Sequence, residues 1–419
     1  MNRRVFLAAS TAGVLRAQTT GAPAPTASFA NLKPMTGDIQ PIGEEERLAR
    51  IEKARRLMHD NRIEAMVCQG GASLFYYTGV RWAAGGPTLA WVLPAKGEAG
   101  WVIAESEVDR ARQAMRLSAD RTGANIRTWV SGEDAAYARI AEFLEERGAA
   151  GRIGIEEKAT FALFDGLRRQ APHLEFVSAD PVTVGCRVIK SPAEIALLQR
   201  ANDITIAAYR AAFATLKEGM TNRELSANIA AAYRALGVSG NAMAIFGKYT
   251  AFPHGSIQPQ QLREGDLVLV DDGCSVEGYQ SDITRTVIFG KPTARQRQVW
   301  DLERKAQDAA LAAAKPGATC ESVDAAARKV IADAGFGPGY RVPGLPHRTG
   351  HGIGLEGHEW TYLVKGNKTR IEPGMCFSDE PTIAIYGEFG VRLEDCMHIA
   401  PEGARMFTKQ SPAIDRPFG

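Results

Sequence analysis

Five side chains suited to divalent cations recur through the second half of this chain: Asp271, Asp282, His351, Glu380 and Glu394. Four carboxylates and an imidazole left bare in one pocket would repel one another, whereas two dications would compensate them in an oxygen-rich cage. That donor set suits manganese, cobalt or zinc at a reactive site. A structural zinc would instead need four Cys or His ligands, and the six cysteines (Cys68, Cys186, Cys274, Cys320, Cys376 and Cys396) form no CxxC pair. They are expected to pack as small apolar groups.

The surrounding sequence indicates how each ligand is delivered. Asp271 closes the apolar run Leu267-Val268-Leu269-Val270, as expected where a buried strand presents a carboxylate to a pocket. Asp282 lies in Ser281-Asp282-Ile283-Thr284-Arg285-Thr286, whose alternation predicts a second strand paired with the first. His351 sits within Thr349-Gly350-His351-Gly352-Ile353-Gly354, where glycines let backbone and ligand approach closely. That stretch lacks the GxGxxG fingerprint and the Walker lysine, which discounts phosphate binding. Glu380 precedes Pro381, and Glu394 follows Arg392 by two residues, which predicts one strand face for Arg392 and Glu394. Taken singly, each has a plainer reading: an aspartate after a strand commonly caps a turn, and a lone histidine is commonly a satisfied core or surface residue.

The ordered set changes that balance. Val270-Asp271-Asp272-Gly273, Gly278-Tyr279-Gln280-Ser281-Asp282-Ile283-Thr284-Arg285-Thr286, His347-Arg348-Thr349-Gly350-His351-Gly352-Ile353-Gly354-Leu355, Asp379-Glu380-Pro381 and Gly390-Val391-Arg392-Leu393-Glu394-Asp395 resemble the pita-bread metallopeptidases, in family order. Over residues 45 to 405 or so the chain is most similar to the proline-directed branch, Xaa-Pro aminopeptidases and Xaa-Pro dipeptidases. The resemblance implies that Asp271 chelates one metal, that Asp282 and Glu394 bridge both, and that His351 and Glu380 complete the second. It further implies that His254 faces the scissile amide, that His358 contacts the carbonyl or tetrahedral intermediate, and that His347 lines the substrate pocket. Arg392 is expected to orient Glu394 or to engage a substrate carboxylate, with plain neutralisation of nearby carboxylates as the alternative. The chain departs from the family after Glu380-Pro381, where Thr382-Ile383-Ala384-Ile385-Tyr386-Gly387 stands in place of glycine and an aromatic-containing turn. The departure bears on substrate preference more than on metal binding.

The implied activity is hydrolysis of Xaa-Pro bonds at peptide N-termini. Two metal ions, manganese before cobalt or zinc, acidify a bridging water and polarise the carbonyl. Glu380 shuttles the proton, and His254 or His347 assists the leaving amine. Two other classes stay open. One is a metal-dependent non-peptide C–N hydrolase of the creatinase or ectoine-hydrolase kind; the other is a non-catalytic binding protein on the same fold.

Length and composition fit two globular domains: 419 residues, of which 45% are hydrophobic, with a net charge of +2 that gives no reason to expect nucleic acid or an anionic membrane. Past the first residues, no stretch reaches the roughly 18 uninterrupted apolar residues of a membrane helix. Asn2-Arg3-Arg4-Val5-Phe6-Leu7 and the weakly apolar residues after it read as a twin-arginine export signal cleaved near Ala17, which predicts a periplasmic or extracellular protein. Residues 18–42, rich in Thr, Ala and Pro, read as a flexible tether, so that signal and tether fill residues 1–43. The fold expected is mixed α/β: a creatinase-like α/β domain over residues 44–186, then a pseudo-symmetric pita-bread domain over 187–410, forming a homodimer or higher oligomer by resemblance. Ser191-Pro192 and Thr221 with Glu224 mark two helix starts near the junction.

Overall fold

The computed structural model describes residues 23–83, 85–117 and 125–419. The expected export signal, over residues 1–17, lies outside the described residues.

The N-terminal domain is built on a six-stranded mixed sheet. Its strands run in the order Ile126–Trp129, Gly100–Ala104, Ala90–Pro94, Ala65–Gln69, Arg152–Ile155 and Glu175–Ser178. Ala65–Gln69 pairs antiparallel with Ala90–Pro94 and parallel with Arg152–Ile155. Helices Glu44–Asp60 and Glu133–Glu146 belong to this domain, the first opening on three glutamates and the second burying Tyr137, Ile140, Phe143 and Leu144. The central strands are buried along nearly their whole length, as strands covered on both faces must be.

Helix Asp180–Arg187 ends this domain, and helix Pro192–Phe213 opens the next. The second start is fixed locally: the Ser191 side chain accepts from Glu194 N, the Glu194 side chain returns to the Ser191 backbone, and Pro192 occupies the first turn. Thr221 with Glu224 and Thr293 with Gln296 form two more such boxes, on helices Asn222–Ala235 and Ala294–Ala313. Helix Pro192–Phe213 buries Leu197, Leu198, Ala201, Ile204, Ala208 and Tyr209 at helical spacing, and each large apolar side chain so buried contributes about 1.5–3 kcal/mol.

Two helices followed by antiparallel strands occur twice. The first set ends in a three-stranded sheet, Arg285–Ile288, Leu267–Asp271 and Met243–Phe246. The second, after helices Ala294–Ala313 and Cys320–Asp333, ends in a five-stranded sheet, Glu359–Leu363, Gly350–Gly352, Cys376–Asp379, Asp395–Ala400 and Gly403–Met406. A hairpin, Thr382–Ile385 with Phe389–Arg392, links the second set to the first, and the candidate ligands line the seam between the two.

The expected tether is corrected over its described part. Thr26 N donates to Asn228 Oδ1 at 2.8 Å, Met35 N to Leu236 O at 2.9 Å, and Arg200 reaches both Met35 O and the Asp38 carboxylate, while Phe29 and Ile42 are buried. Low-complexity composition here conceals a strap laid on helix Asn222–Ala235. All six cysteines are buried and unpaired.

Candidate metal centre

Asp271 is the last residue of strand Leu267–Asp271, which pairs with Arg285–Ile288 on one side and Met243–Phe246 on the other. Two expected placements are corrected. Asp282 is not on a paired strand: residues 281–284 belong to no strand, and pairing begins at Arg285. Glu394 sits in the break between Phe389–Arg392 and Asp395–Ala400, not on the strand of Arg392. Backbone bonds hold both segments, with Ile283 N donating to Asp272 O and Glu394 N to Thr284 O, each at 3.1 Å. The buried Arg285 guanidinium ties Thr284 O, Glu394 O and the Asp395 carboxylate together. His351 is the central residue of Gly350–Gly352, and Glu380 follows Cys376–Asp379 directly. Glycine at 350 is a steric requirement, because a Cβ there would lie 2.1 Å from Ser378 O.

The five donors converge. Asp271, Asp282 and Glu394 form one triad, and His351, Glu380 and Glu394 another; within each, the donor atoms lie within 4.8 Å of one another. His351 Nε2 is 3.3 Å from Glu380 Oε1 and 3.7 Å from Asp282 Oδ2. His351 Nδ1 lies 3.1 Å from Gly352 O, a group that only accepts, so Nδ1 carries the ring proton and Nε2 presents a lone pair to the carboxylates. Burial, with the neighbouring His358, lowers the His351 pKa to about 3, so the ring is neutral. Glu394 Oε1 is buried without a partner. Lone pairs facing lone pairs in a buried pocket call for a cation, so the residues fit the divalent metals expected of them.

Protein charge meets only part of this need. Burial raises Asp271, but Arg392 and the Thr284 hydroxyl outweigh it and hold the carboxyl below its ordinary value. Burial and the neighbouring acids push Asp282 and Glu394 well above theirs, and burial raises Glu380 to about 7 against the pull of Arg392. Each Arg392 nitrogen has a partner: Nη2 on Asp271 Oδ2, Nε on Thr284 Oγ1 at 3.1 Å, and Nη1 on Pro253 O at 3.1 Å. Its direct carboxylate partner is Asp271, in keeping with the neutralising alternative, and its link to Glu394 runs through the Thr284 hydroxyl. Thr284, which sequence reasoning passed over, contacts Asp271 Oδ1 at 2.6 Å and Glu394 Oε2 at 2.8 Å. Its position two residues beyond Asp282 was the available signal.

The other histidines differ. His358 is exposed, and its ring meets that of His351 edge-on at 4.0 Å between centroids. Arg348 Nη2 approaches His358 Nδ1 at 3.4 Å; a guanidinium only donates, so Nδ1 is bare and Nε2 carries a proton for an incoming acceptor. His254 is exposed beside Pro253, the residue whose carbonyl Arg392 holds. At His347, Nδ1 donates to Arg348 O at 2.7 Å and Nε2 accepts from Thr382 Oγ1 at 3.0 Å, so both ring nitrogens have partners within the protein. Burial with the neighbouring Arg392 lowers the His347 pKa to about 3. The departure at Thr382 is thus what ties this histidine back.

Arg348 and a buried ion cluster were also missed. Arg348 stacks on Tyr362 with 4.9 Å to the ring centroid, its buried Nε lacks a partner, and no carboxylate is among its contacts in the described residues. On either side of His358, Arg187 pairs with Glu356 and Glu359, Lys190 with Glu359 at 3.1 Å, and Lys158 with Glu356. Burial opposes ionisation of Glu359, but Arg187 and Lys190 overcome it and hold the carboxyl down at about 2.

Residues 196–401 match Metallopeptidase family M24, and residues 50–189 match the Creatinase/Prolidase N-terminal domain. The chain is 30% identical to the Xaa-Pro dipeptidase of Pyrococcus furiosus, over 86% of its length and 97% of that protein's. To the probable dipeptidase PepE of Mycobacterium tuberculosis it is 35% identical, over 85% and 92%. The crystal structure of dipeptidase PepE from Mycobacterium ulcerans superposes with a TM-score of 0.81 at 31% identity, over 90% of this chain and 99% of that one. The prolidase from Pyrococcus horikoshii OT3 gives 0.75 at 28%, over 86% and 98%. With a creatinase-like first domain, a pita-bread second domain and the five acceptor side chains gathered at its seam, the chain belongs to metallopeptidase family M24.

Proposed function

We propose that this protein is a dinuclear metallo-exopeptidase that cleaves the bond between a first residue and a following proline. The observation that carries the reading is the pair of overlapping triads sharing Glu394, whose Oε1 is buried without a partner. Asp271, Asp282 and Glu394 would hold one cation, and His351, Glu380 and Glu394 the other, with Asp282 close enough to serve both. Two divalent ions bound there, manganese first and cobalt or zinc as alternatives, supply an acidified water and a Lewis acid for the scissile carbonyl.

The chain's own residues do the rest. Glu380, which adjoins His351 Nε2 at 3.3 Å in the same pocket, would accept the water's proton and return it to the leaving proline nitrogen. His358 Nε2–H donates to the carbonyl oxygen as charge develops there. His254 is left as the histidine available to the leaving amine, since His347 is bound back by Thr382.

Arg348 favours a dipeptide over a longer peptide. Its guanidinium adjoins His358 without an acidic partner, and a dipeptide's C-terminal carboxylate supplies one. The relatives named Xaa-Pro dipeptidase or dipeptidase agree with this. The double-arginine start and the apolar residues after it support export to the periplasm.

The test is hydrolysis of Xaa-Pro, Xaa-Pro-Xaa and Xaa-Ala-Xaa peptides and creatine by purified protein, with and without manganese, beside Asp282→Ala. Manganese-dependent release of the residue before proline, lost in the variant and greatest for the dipeptide, is the expected result. Turnover of creatine alone, or of no peptide despite bound metal, would move the assignment to a non-peptide C–N hydrolase.

A further inference from the structure

We propose that the domain junction is a positioning clamp on His358: Arg187 and Lys190 grip Glu356 and Glu359, which bracket that histidine, and so fix its imidazole beside His351. The proposal rests on the reading of His358 as a substrate-facing donor. Arg187 and Lys190 act through another residue, so they are positioning residues.

His358 has little of its own to hold it. Its side chain is exposed; its ring meets the edge of His351 and the long approach of Arg348, and a ring nitrogen lies within 4.8 Å of an Asp282 carboxylate oxygen. Residues 354–358 form bends between strands Gly350–Gly352 and Glu359–Leu363, with Gly354 N to Glu356 O at 3.1 Å and Gln280 N to Gly354 O at 2.7 Å as backbone fixings. Side chains from the junction supply the remainder. Arg187 Nη2 reaches Glu356 Oε2 at 2.8 Å and also Glu359 Oε1; Lys190 Nζ reaches Glu359 Oε2 at 3.1 Å; and Glu359 Oε1 accepts from Glu356 N at 3.2 Å, closing the bend on itself. Lys158, from the first domain, adds a second cation on Glu356. Arg187, Lys190 and Glu359 are all buried, so the grip is shielded from salt and solvent.

The steric setting agrees. A Cβ at position 354 would lie 2.6 Å from Glu359 Oε2, so the glycine keeps room for the gripped carboxylate. Arg187 N-terminally flanks the junction, and Lys190 stands within it, with Lys190 N bonded to Gly374 O at 2.9 Å. A shift of the first domain against the second is therefore transmitted to both neighbours of His358. The two arms of the guanidinium face both domains: Nη2 reaches Glu356 and Glu359, while Nη1 donates to Ser73 Oγ at 3.1 Å and lies 3.5 Å from Glu157 Oε1, a planar spread that a lysine ammonium reproduces only in part.

The experiment compares Arg187→Met, Arg187→Lys and the milder Glu356→Gln with the manganese-loaded full chain, each alone and combined with His358→Ala. Three quantities are read: kcat and KM on an Xaa-Pro dipeptide, bound manganese, and hydrogen–deuterium exchange of residues 353–359 against helix Ala294–Ala313 as control. The expected result is a kcat about 10- to 100-fold lower for Arg187→Met with little change in KM, an intermediate value for Arg187→Lys, and manganese retained. Exchange should quicken in 353–359 and not in the control helix, and no further loss should appear once His358 is alanine. Losses that multiply with His358→Ala, a kcat loss that follows lost manganese, or unchanged exchange at 353–359 would overturn the clamp. If the wild-type protein cleaves no Xaa-Pro peptide, the exchange arm still decides the grip, and the peptidase reading fails separately.

Discussion

At the domain junction Glu359 is buried between Arg187 and Lys190 and stays ionised, whereas at the seam Asp282, Glu380 and Glu394 share a single buried guanidinium, already given to Asp271. Depth is similar in the two regions and the charge balance is opposite. In the first, the protein supplies its own cations and the cluster is complete without a ligand. In the second the protein supplies too few, and burial together with the neighbouring acids raises these carboxyls above their ordinary values. An uncompensated buried acid cluster is thus a specification for something absent from the chain, and a compensated one is a joint.

Each way of testing that contrast alters one side of it. The largest effect is expected from chelation or from Glu394→Ala, which should abolish Xaa-Pro hydrolysis; chelation should also remove about 2.7 kcal/mol of stability relative to a cation concentration a hundredfold above its Kd, measured by urea unfolding. Glu380→Gln should retain metal yet lose about 10²–10⁴-fold in kcat, measured at saturating dipeptide. Lys190→Met leaves Glu359 with one partner and should destabilise by about 3–5 kcal/mol with or without metal, a result that sets the joint apart from the ligand site. Arg348→Met should lower kcat/KM for the dipeptide about 10- to 100-fold while sparing the tripeptide, as the loss of a charged hydrogen bond of about 1.5–3 kcal/mol implies; equal loss on both peptides would remove Arg348 from carboxylate recognition.

The smallest effects are also the most discriminating. In metal-free protein Asp282→Asn should stabilise by on the order of 1 kcal/mol through relief of repulsion, while Glu359→Gln should destabilise. Same-sign results would break the contrast. The pH dependence follows from a lowered pKa: ionised Glu359 stabilises the fold above its unfolded value of about 4.3, and that contribution fades as pH falls toward about 2. Between pH 5 and 7 the joint should therefore be indifferent to pH, and the stability difference between Lys190→Met and wild type should narrow only below about pH 4.

The ligands were legible because their chemistry is carried by residue type and their delivery by local pattern. Asp271 after an apolar run and His351 among glycines are local facts, and the capping boxes at Ser191 and Thr221 are local too. What stayed hidden is non-local. Lys190 and Glu359 are 169 residues apart, and no periodicity links them. Arg392 looked available because a sequence names a guanidinium without its partners; only the fold shows that Asp271, Thr284 and the Pro253 carbonyl occupy it. Thr382 was noticed as a departure, yet its bond to His347 requires knowing that a hairpin brings the two together. The strap over residues 23–42 failed for the opposite reason: its composition suits a linker, and its order comes from the helix it lies on.

The six buried thiols have a use of their own. Burial raises the pKa of each one named among them, Cys68, Cys186, Cys274, Cys320, Cys376 and Cys396, so an alkylating reagent meets an unreactive, inaccessible group until its surroundings open. Cys68 reports on the first domain, Cys186 on the junction, Cys274 on the first half of the second domain, and the other three on its second half. The protein thus carries a set of internal clocks whose labelling rates, read residue by residue, give the order in which its parts come undone.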